Sequence, residues 1–303
     1  MDIQNSVRRI AVIGAGGLLG QRVAAEAAEA GCQVLGTYHD SPVPPSSIEV
    51  AHLDITDPDE TRLVLKRFSP EWVVHTSALT NVDLCERNPS KAWSVNAEGT
   101  LNVVQACGQI AARMLYVSTD YVFNGMKGQP YEEHDQPDPV NIYGKTKLEG
   151  ERLVTDSSTK NVVARVSVLY GWNRVTTKQN FATWVIDSLR KGREVSLFTD
   201  QVASPTYVPY CAAALIELMR KGSRGIYHVS GPECVSRYDF GLKIAGALGL
   251  DASLVKKAAT EGSGLLARRP PRSCLAVGKI EGELGMKLRP IDDCLRHMRE
   301  ERG

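Results

Sequence analysis

The 303-residue chain lacks an excess of either charge: 36 Lys and Arg stand against 35 Asp and Glu, a formal net charge of +1. Without a bulk field to attract a polyanion, nucleic acid and anionic membrane surfaces are not expected as partners, and any anionic ligand must be held by local groups. No apolar run approaches the roughly 18 residues of a membrane span, and the opening residues, Met1 to Arg9, carry no apolar leader core. We therefore expect a cytoplasmic protein. The seven cysteines (32, 85, 107, 211, 234, 274 and 294) form no C-x-x-C and no regular framework, which predicts reduced structural thiols. The six histidines include no H-x-x-x-H pair; His75, in the apolar run Trp72-Val-Val-His-Thr76, reads as a core or cofactor-facing imidazole. Glu132-Glu133-His134-Asp135 stands among Pro130, Pro137 and Pro139 and reads as a solvated loop, so no metal is expected. Tandem repeats and low-complexity linkers are also missing.

What is present is alternation. Short β-branched runs at 9–13, 33–37, 48–53, 72–76, 113–118 and 161–168 are separated by stretches of helical periodicity, including 18–30, 57–68 and 92–112. Repeated β-α units imply an α/β fold with a parallel, doubly wound sheet. Beyond Gly171 the pattern loosens into helices at 180–191, 212–219 and 238–248, a strand at 195–198 and a Pro-containing stretch at 204–209. We divide the chain into a dinucleotide-binding domain, 1–170, and a smaller, mainly substrate-binding α/β region, 171–303. A strand-like segment, 225–230, suggests that part of 200–230 returns to the first sheet, which would make the second region discontinuous.

Gly14-Ala-Gly-Gly17-Leu18-Leu19-Gly20 lies between the first run and an Ala-rich helical stretch. Gly14 ends the strand, Gly17 allows a pyrophosphate to approach the backbone, and Gly20 lets the helix pack on the sheet, in a Rossmann-like turn whose N–H groups face an anion. The spacing is G-x-x-G-x-x-G; Leu19 occupies the last glycine position of G-x-G-x-x-G. Cofactor choice falls at Thr37-Tyr38-His39-Asp40, where an acidic side chain would accept from a ribose 2′-OH and repel a 2′-phosphate. Asp40 comes three residues after the expected strand end, whereas Thr37 and His39 can donate to a phosphate; NADPH is favoured, with NADH kept open. Asp54 and Ile55 follow the third strand and suit an adenine edge, although a cap for the helix begun by Pro58 is an equal reading of Asp54.

The second signal is Tyr143 with Lys147 four residues on, in Asn141-Ile-Tyr-Gly-Lys-Thr-Lys-Leu-Glu-Gly150. One helical face would then carry a phenol and an ammonium that eases its ionisation, a pair suited to acid-base chemistry on a carbonyl or alcohol. Ser118-Thr119-Asp120-Tyr121-Val122-Phe123 ends the fifth strand, in the crevice where such sheets bind ligands. A hydroxyl there can hold a carbonyl oxygen as charge develops on it. With the glycine turn, these residues point to hydride transfer.

Together the segments resemble the extended short-chain dehydrogenase/reductases, and among them the dTDP-4-dehydrorhamnose reductase family. The resemblance is carried by GAGGLLG at 14, ALTNVDLCE at 78, VNAEGT at 95, VSTDYVFNG at 117, NIYGKTKLEGE at 141, VLYG at 168, NF at 180, DQVASPTYV at 200 and RRPPRSCL at 268. It implies a Thr119/Tyr143/Lys147 triad supported by Asn96. It also implies contact of Ser77 and Ala78 with the cofactor, and a pocket using Asp120, Tyr121, Phe123 and the C-terminal region. The family's reaction is NADPH- or NADH-dependent reduction of the 4-keto group of a dTDP-6-deoxysugar, yielding activated rhamnose. Arg268, Arg269 and Arg272 are candidates for the diphosphate, with a solvated basic loop as the competing reading. Two positions depart from the family: Val168 replaces a pocket Trp found in some members, and Arg269-Pro-Pro-Arg-Ser273 replaces R-P-x-N-S. The same segments resemble the NADP-binding regulatory β subunit of methionine adenosyltransferase, which keeps a non-catalytic role open. Sugar-nucleotide dehydratases are disfavoured because Asp120 is followed by Tyr121 rather than Glu. A homodimer is compatible with the reductase reading.

Overall fold

A computed structural model describes residues 7–44, 47–174, 178–285 and 287–301. Chain order is β1 (Arg9–Ile13), α1 (Leu18–Glu29), β2 (Gln33–Tyr38), β3 (Glu49–His52), α2 (Pro58–Phe68), β4 (Trp72–His75), α3 (Val82–Arg87), α4 (Pro89–Trp93), α5 (Gly99–Gln109), β5 (Arg113–Thr119), α6 (Ile142–Ser157) and β6 (Val162–Val166). It continues with β7 (Leu169–Tyr170), α7 (Phe181–Arg190), β8 (Val195–Phe198), β9 (Val202–Ala203), β10 (Thr206–Tyr207), α8 (Val208–Arg220) and β11 (Gly225–His228). The last elements are β12 (Val235–Ser236), α9 (Arg237–Ala247), β13 (Val255–Ala258), α10 (Gly278–Leu284) and α11 (Ile291–Glu300). Seven parallel strands form the central sheet in the order β11-β6-β5-β4-β1-β2-β3. Helices cover both faces because the inner strands bury side chains on both. Val12, Val74, Leu115, Val117 and Ala164 pack toward α1 and α8, whereas Ala11, Ile13, Val73, Met114 and Tyr116 pack on the other face, beside residues of α2, α5 and α6. The order reverses between β1 and β4, opening the crevice where such sheets hold ligands.

The stretch expected as one helix over 92–112 is broken: α4 ends at Trp93, a single π-helical turn spans Ser94–Glu98, and α5 follows. Buried Asn96 sits in that turn, a frequent mark of a functional position. The C-terminal helices α7, α9 and α11 gather around a separate core of Ile186, Leu189, Phe240, Ile244, Leu295 and Met298. Gly225–His228 joins the central sheet through β6.

Not all cysteines are free thiols, contrary to the expectation from their spacing. Cys234 and Cys274 are disulfide-bonded with a Cα separation of 5.6 Å, 40 residues apart in sequence. Their approach follows from tertiary pairing: β12 lies against β9, and Val202 of β9 also bridges to Arg272. The loop around Glu132 is more than a solvated turn, since Glu133 accepts the His228 N–H at 2.9 Å. Among the described residues no helix is long and apolar enough to cross a membrane, and no His/Cys/Asp/Glu group could hold a metal.

Candidate active site

The glycine turn is built by backbone geometry. Gly14 has φ +86°, a conformation that glycine alone adopts without strain. A Cβ at Gly20 would lie 2.2 Å from the Gly14 carbonyl oxygen, so Gly20 brings α1 against the strand end. Gly16, overlooked in the spacing, is equally constrained: its Cβ would meet the Ser41 carbonyl at 2.1 Å, where the loop after β2 folds over the turn. At the start of α1 the Gly17 cap offers no side-chain acceptor and the first turn holds no acid, which leaves its N–H groups available to an anion. Leu18 is partly exposed, whereas Leu19 is buried in the core and can offer a ligand only its backbone.

At the adenosine end, Thr37 is buried and its carbonyl accepts the Ala15 N–H at 2.7 Å. His39 is exposed between two carboxylates, with Nδ1 3.1 Å from Asp40 and Nε2 3.7 Å from Asp54. The helix cap after β3 is Asp57, which accepts from Asp59 and Glu60 N–H groups. Asp54 instead binds the Thr56 N–H and hydroxyl. Burial raises its pKa, but those bonds and His39 outweigh it and hold the carboxyl below the usual range. Ile55 is buried against Gly99, at whose Cα a Cβ would meet the Ile55 side chain at 2.8 Å.

Ser77 and Ala78 follow β4 between two anchors. The Thr76 hydroxyl donates to the Ile13 carbonyl at 2.8 Å, and Asn96 clasps Leu79, accepting its N–H at 2.7 Å and donating to its carbonyl at 3.2 Å. The second Asn96 amide contact, 3.1 Å to Thr146, ties this loop to α6. His75 is fully buried, 3.2 Å from the Thr100 hydroxyl; burial, aided by the nearby Lys147, pulls its pKa to about 3.

Helix α6 reaches the crevice because two glycines let it. A Cβ at Gly144 would meet the Tyr121 carbonyl at 2.2 Å, and one at Gly150 the Tyr116 hydroxyl at 2.2 Å. Asn141 caps the helix by accepting the Gly144 N–H, and its amide donates to the Arg268 carbonyl. Lys147 is buried, donates to the Val117 carbonyl at 2.8 Å and lies 4.0 Å above the Tyr116 ring. Burial lowers its pKa to about 7, opposed by Glu151. The Tyr143 phenol is not brought toward working pH as the sequence suggests. Burial pushes the Tyr143 phenol up, a hydrogen bond with Thr119 pulls it down, and the Asp120 charge adds to the rise. A phenol that stays protonated is suited to giving a proton rather than taking one.

Because the folded state disfavours charge on Lys147, its penalty is present below about pH 7 and relieved as pH rises toward the unfolded lysine value. The thermal stability of the wild type relative to Lys147→Met is therefore expected to increase from pH 7 to about 10. A difference that is flat or falling over that range would contradict it.

Thr119 ends β5 with its hydroxyl donating to Asp120 Oδ1 and accepting the Tyr121 N–H, both at 3.1 Å. Asp120 accepts from Ser167 at 2.9 Å and Ser273 at 2.5 Å, so its carboxylate joins β5, the end of β6 and the C-terminal strap. Burial raises its pKa against those bonds. Tyr121 stands edge-on to Tyr143 at 5.9 Å and hydrogen-bonds Arg237, a cation that no sequence motif singled out. Phe123 does not line the crevice: just past the 3-10 turn Asp120–Val122 it is wholly buried, stacked on Tyr131 at 4.1 Å in a small core with Val122 and Leu275. The arginines divide. Arg269 is fixed to Asp83 at 3.0 Å and the Ala267 carbonyl at 2.7 Å, and its charge reaches Tyr121. Arg268 is exposed. A solvated basic loop thus describes Arg268 and fails for Arg269.

Residues 8–302 match the RmlD substrate binding domain family. A Haloferax volcanii protein named probable low-salt glycan biosynthesis reductase is 36% identical, over 94% of this chain and 95% of its own. The β subunit of methionine adenosyltransferase 2 from Xenopus tropicalis is 31% identical, over 92% and 84%. The crystal structure of a dTDP-4-dehydrorhamnose reductase from Bacillus anthracis in complex with NADP superposes with a TM-score of 0.84 at 29% identity, covering 98% of this chain and 100% of that one. A match across nearly every described residue, on a sheet with its crevice at the β1/β4 reversal, leaves one assignment: the chain belongs to the RmlD substrate binding domain family.

Proposed function

We propose that this protein reduces the 4-keto group of a nucleotide-activated deoxysugar with NADPH, in the manner of dTDP-4-dehydro-L-rhamnose reduction to dTDP-L-rhamnose. The observation that carries this reading is the meeting of Thr119, Tyr143 and Lys147 in one crevice, served by an uncapped helix start at Gly17. The solved relative bound to NADP and the Haloferax protein named a probable reductase support it.

The residues fit a dinucleotide. Gly14, Gly17 and the backbone of Leu18 and Leu19 would receive the pyrophosphate, Asp54 and Ile55 the adenine, Ser77 and Ala78 the central ribose region, and Lys147 the nicotinamide ribose. The bound cofactor supplies hydride. Thr119 orients the keto oxygen, and Tyr143, held protonated, donates the proton that the new alkoxide requires. Asp120 acts from behind by fixing Thr119, while Tyr121, Arg237 and Arg269 face the sugar nucleotide and offset its diphosphate charge. In this scheme residues 1–170 hold mainly the cofactor and 171–303 mainly the sugar nucleotide.

The direct test mixes purified protein with dTDP-4-dehydro-L-rhamnose and either NADPH or NADH, following absorbance of the reduced nicotinamide. Sugar-dependent oxidation supports the proposal. NADPH binding without oxidation would replace it by a non-catalytic role as a subunit of a methionine adenosyltransferase-like complex, the Xenopus relative being named a β subunit, and capture of a methionine adenosyltransferase catalytic subunit would then be sought. His39→Ala is expected to weaken NADPH several-fold and leave NADH nearly unchanged, because the exposed His39 ring just past β2 would donate to the 2′-phosphate. Equal losses for both cofactors would remove His39 from discrimination.

A further inference from the structure

Behind the Thr119/Tyr143/Lys147 face lies a polar assembly that this mechanism leaves unused. Glu151 follows Lys147 by one turn of α6, and its side chain and that of Arg165 are 4% and 2% exposed. Arg165 donates from Nε to Oε1 at 2.9 Å and from Nη2 to Oε2 at 2.7 Å, while the Ser118 hydroxyl donates to Oε1 at 2.5 Å. Ser118 and Arg165 are register partners on β5 and β6, so one carboxylate fastens two strands to the helix. Desolvation offsets most of the attraction in so deep a pair, and stability alone is a poor reason for it.

Its location gives a better one. Ser118 stands between Val117, whose carbonyl receives Lys147, and Thr119, whose hydroxyl reaches Tyr143. The groups around Lys147 are Tyr116 and Val117 of β5, His75 of β4, and Tyr143 and Glu151 of its own helix, with Arg165 of β6 beyond. His75 is held neutral at about 3, and both phenols are raised by burial. Glu151 is thus the group that opposes the effect of burial on Lys147.

We propose that Glu151 is a positioning residue for the reduction: through Ser118 it fixes the strand segment bearing Val117 and Thr119, and its charge keeps Lys147 protonated for the cofactor ribose. This rests on the reductase reading. Turnover and NADPH affinity, the latter from nicotinamide fluorescence without sugar, would be followed against pH for the wild type, Ser118→Ala and Glu151→Gln. Ser118→Ala should lower kcat about ten-fold at every pH, as expected for a small displacement of reacting groups, with the pH profile unmoved. Glu151→Gln should move the alkaline decline of both turnover and affinity to lower pH by about one unit or more. If Glu151→Gln does not fold, the double variant Glu151→Gln/Arg165→Gln, which leaves no orphan guanidinium, carries the same expectation. A folded Glu151→Gln, or folded double variant, with unmoved profiles, or Ser118→Ala turnover within about two-fold of wild type, would overturn the proposal. A wild type that binds NADPH but does not turn over defeats the reductase reading instead, and the affinity profiles then decide the effect of the Glu151 charge separately.

Discussion

Tyr143→Phe is expected to lower turnover by about two orders of magnitude or more while NADPH affinity stays near that of the wild type. The ring remains, and with it the edge contact to Tyr121 at 5.9 Å, so the pocket wall is preserved. What is lost is the hydroxyl that hydrogen-bonds Thr119 and holds its proton under burial. Thr119 keeps its bonds to Asp120 and the Tyr121 N–H, so the substitution leaves the strand end in place. The cofactor contacts assigned to Lys147 are untouched, because its ammonium rests on the Val117 carbonyl and the Tyr116 ring. Steady-state kinetics with a parallel binding titration separates the two effects. Retained turnover would take Tyr143 out of the chemical step; a matching fall in affinity would make its role structural.

Gly144→Ala should be nearly as damaging although it adds one methyl group and removes no functional atom. The new carbon would lie 2.2 Å from the Tyr121 carbonyl oxygen and 2.9 Å from the Pro139 side chain. A backbone oxygen cannot swing aside as a flexible side chain can, so α6 must retreat from the strand end. Overpacking of this kind costs about 1–3 kcal/mol. Because Tyr143 and Lys147 ride on the same helix, a shift of about 1 Å would also cost on the order of 100-fold in turnover. Gly282→Ala in α10, where the added carbon meets nothing within 4 Å, is the control and should leave both properties essentially unchanged or gain slightly in stability. Thermal melts and kcat for both variants decide the matter, and a Gly144→Ala protein that behaves like Gly282→Ala would refute the close-approach argument.

Much of this was legible in the chain. Hydrophobic period and turn residues placed the strands of the central sheet within a residue or two, because each is a short apolar run bounded by Gly, Pro or capping residues. Helix α11 was equally legible, with Ile291, Cys294, Leu295 and Met298 buried on one face, yet its spacing went unread among the charges around it. The break at Ser94–Glu98 was not legible, since a π turn has no residue signature and depends on Asn96 reaching both Leu79 and Thr146.

By itself the sequence determined the parallel sheet, the glycine turn, and the positions of Thr119, Tyr143 and Lys147, since these follow from local period and fixed spacing. The tertiary structure alone decided which side chains are free to act. It buried Phe123, bound Asp120 to Ser167 and Ser273, separated Arg269 from Arg268, joined Cys234 to Cys274, and paired Glu151 with Arg165 and Ser118. The physical reason is that burial, desolvation and hydrogen-bond satisfaction depend on partners tens of residues away, which local spacing along a chain does not encode.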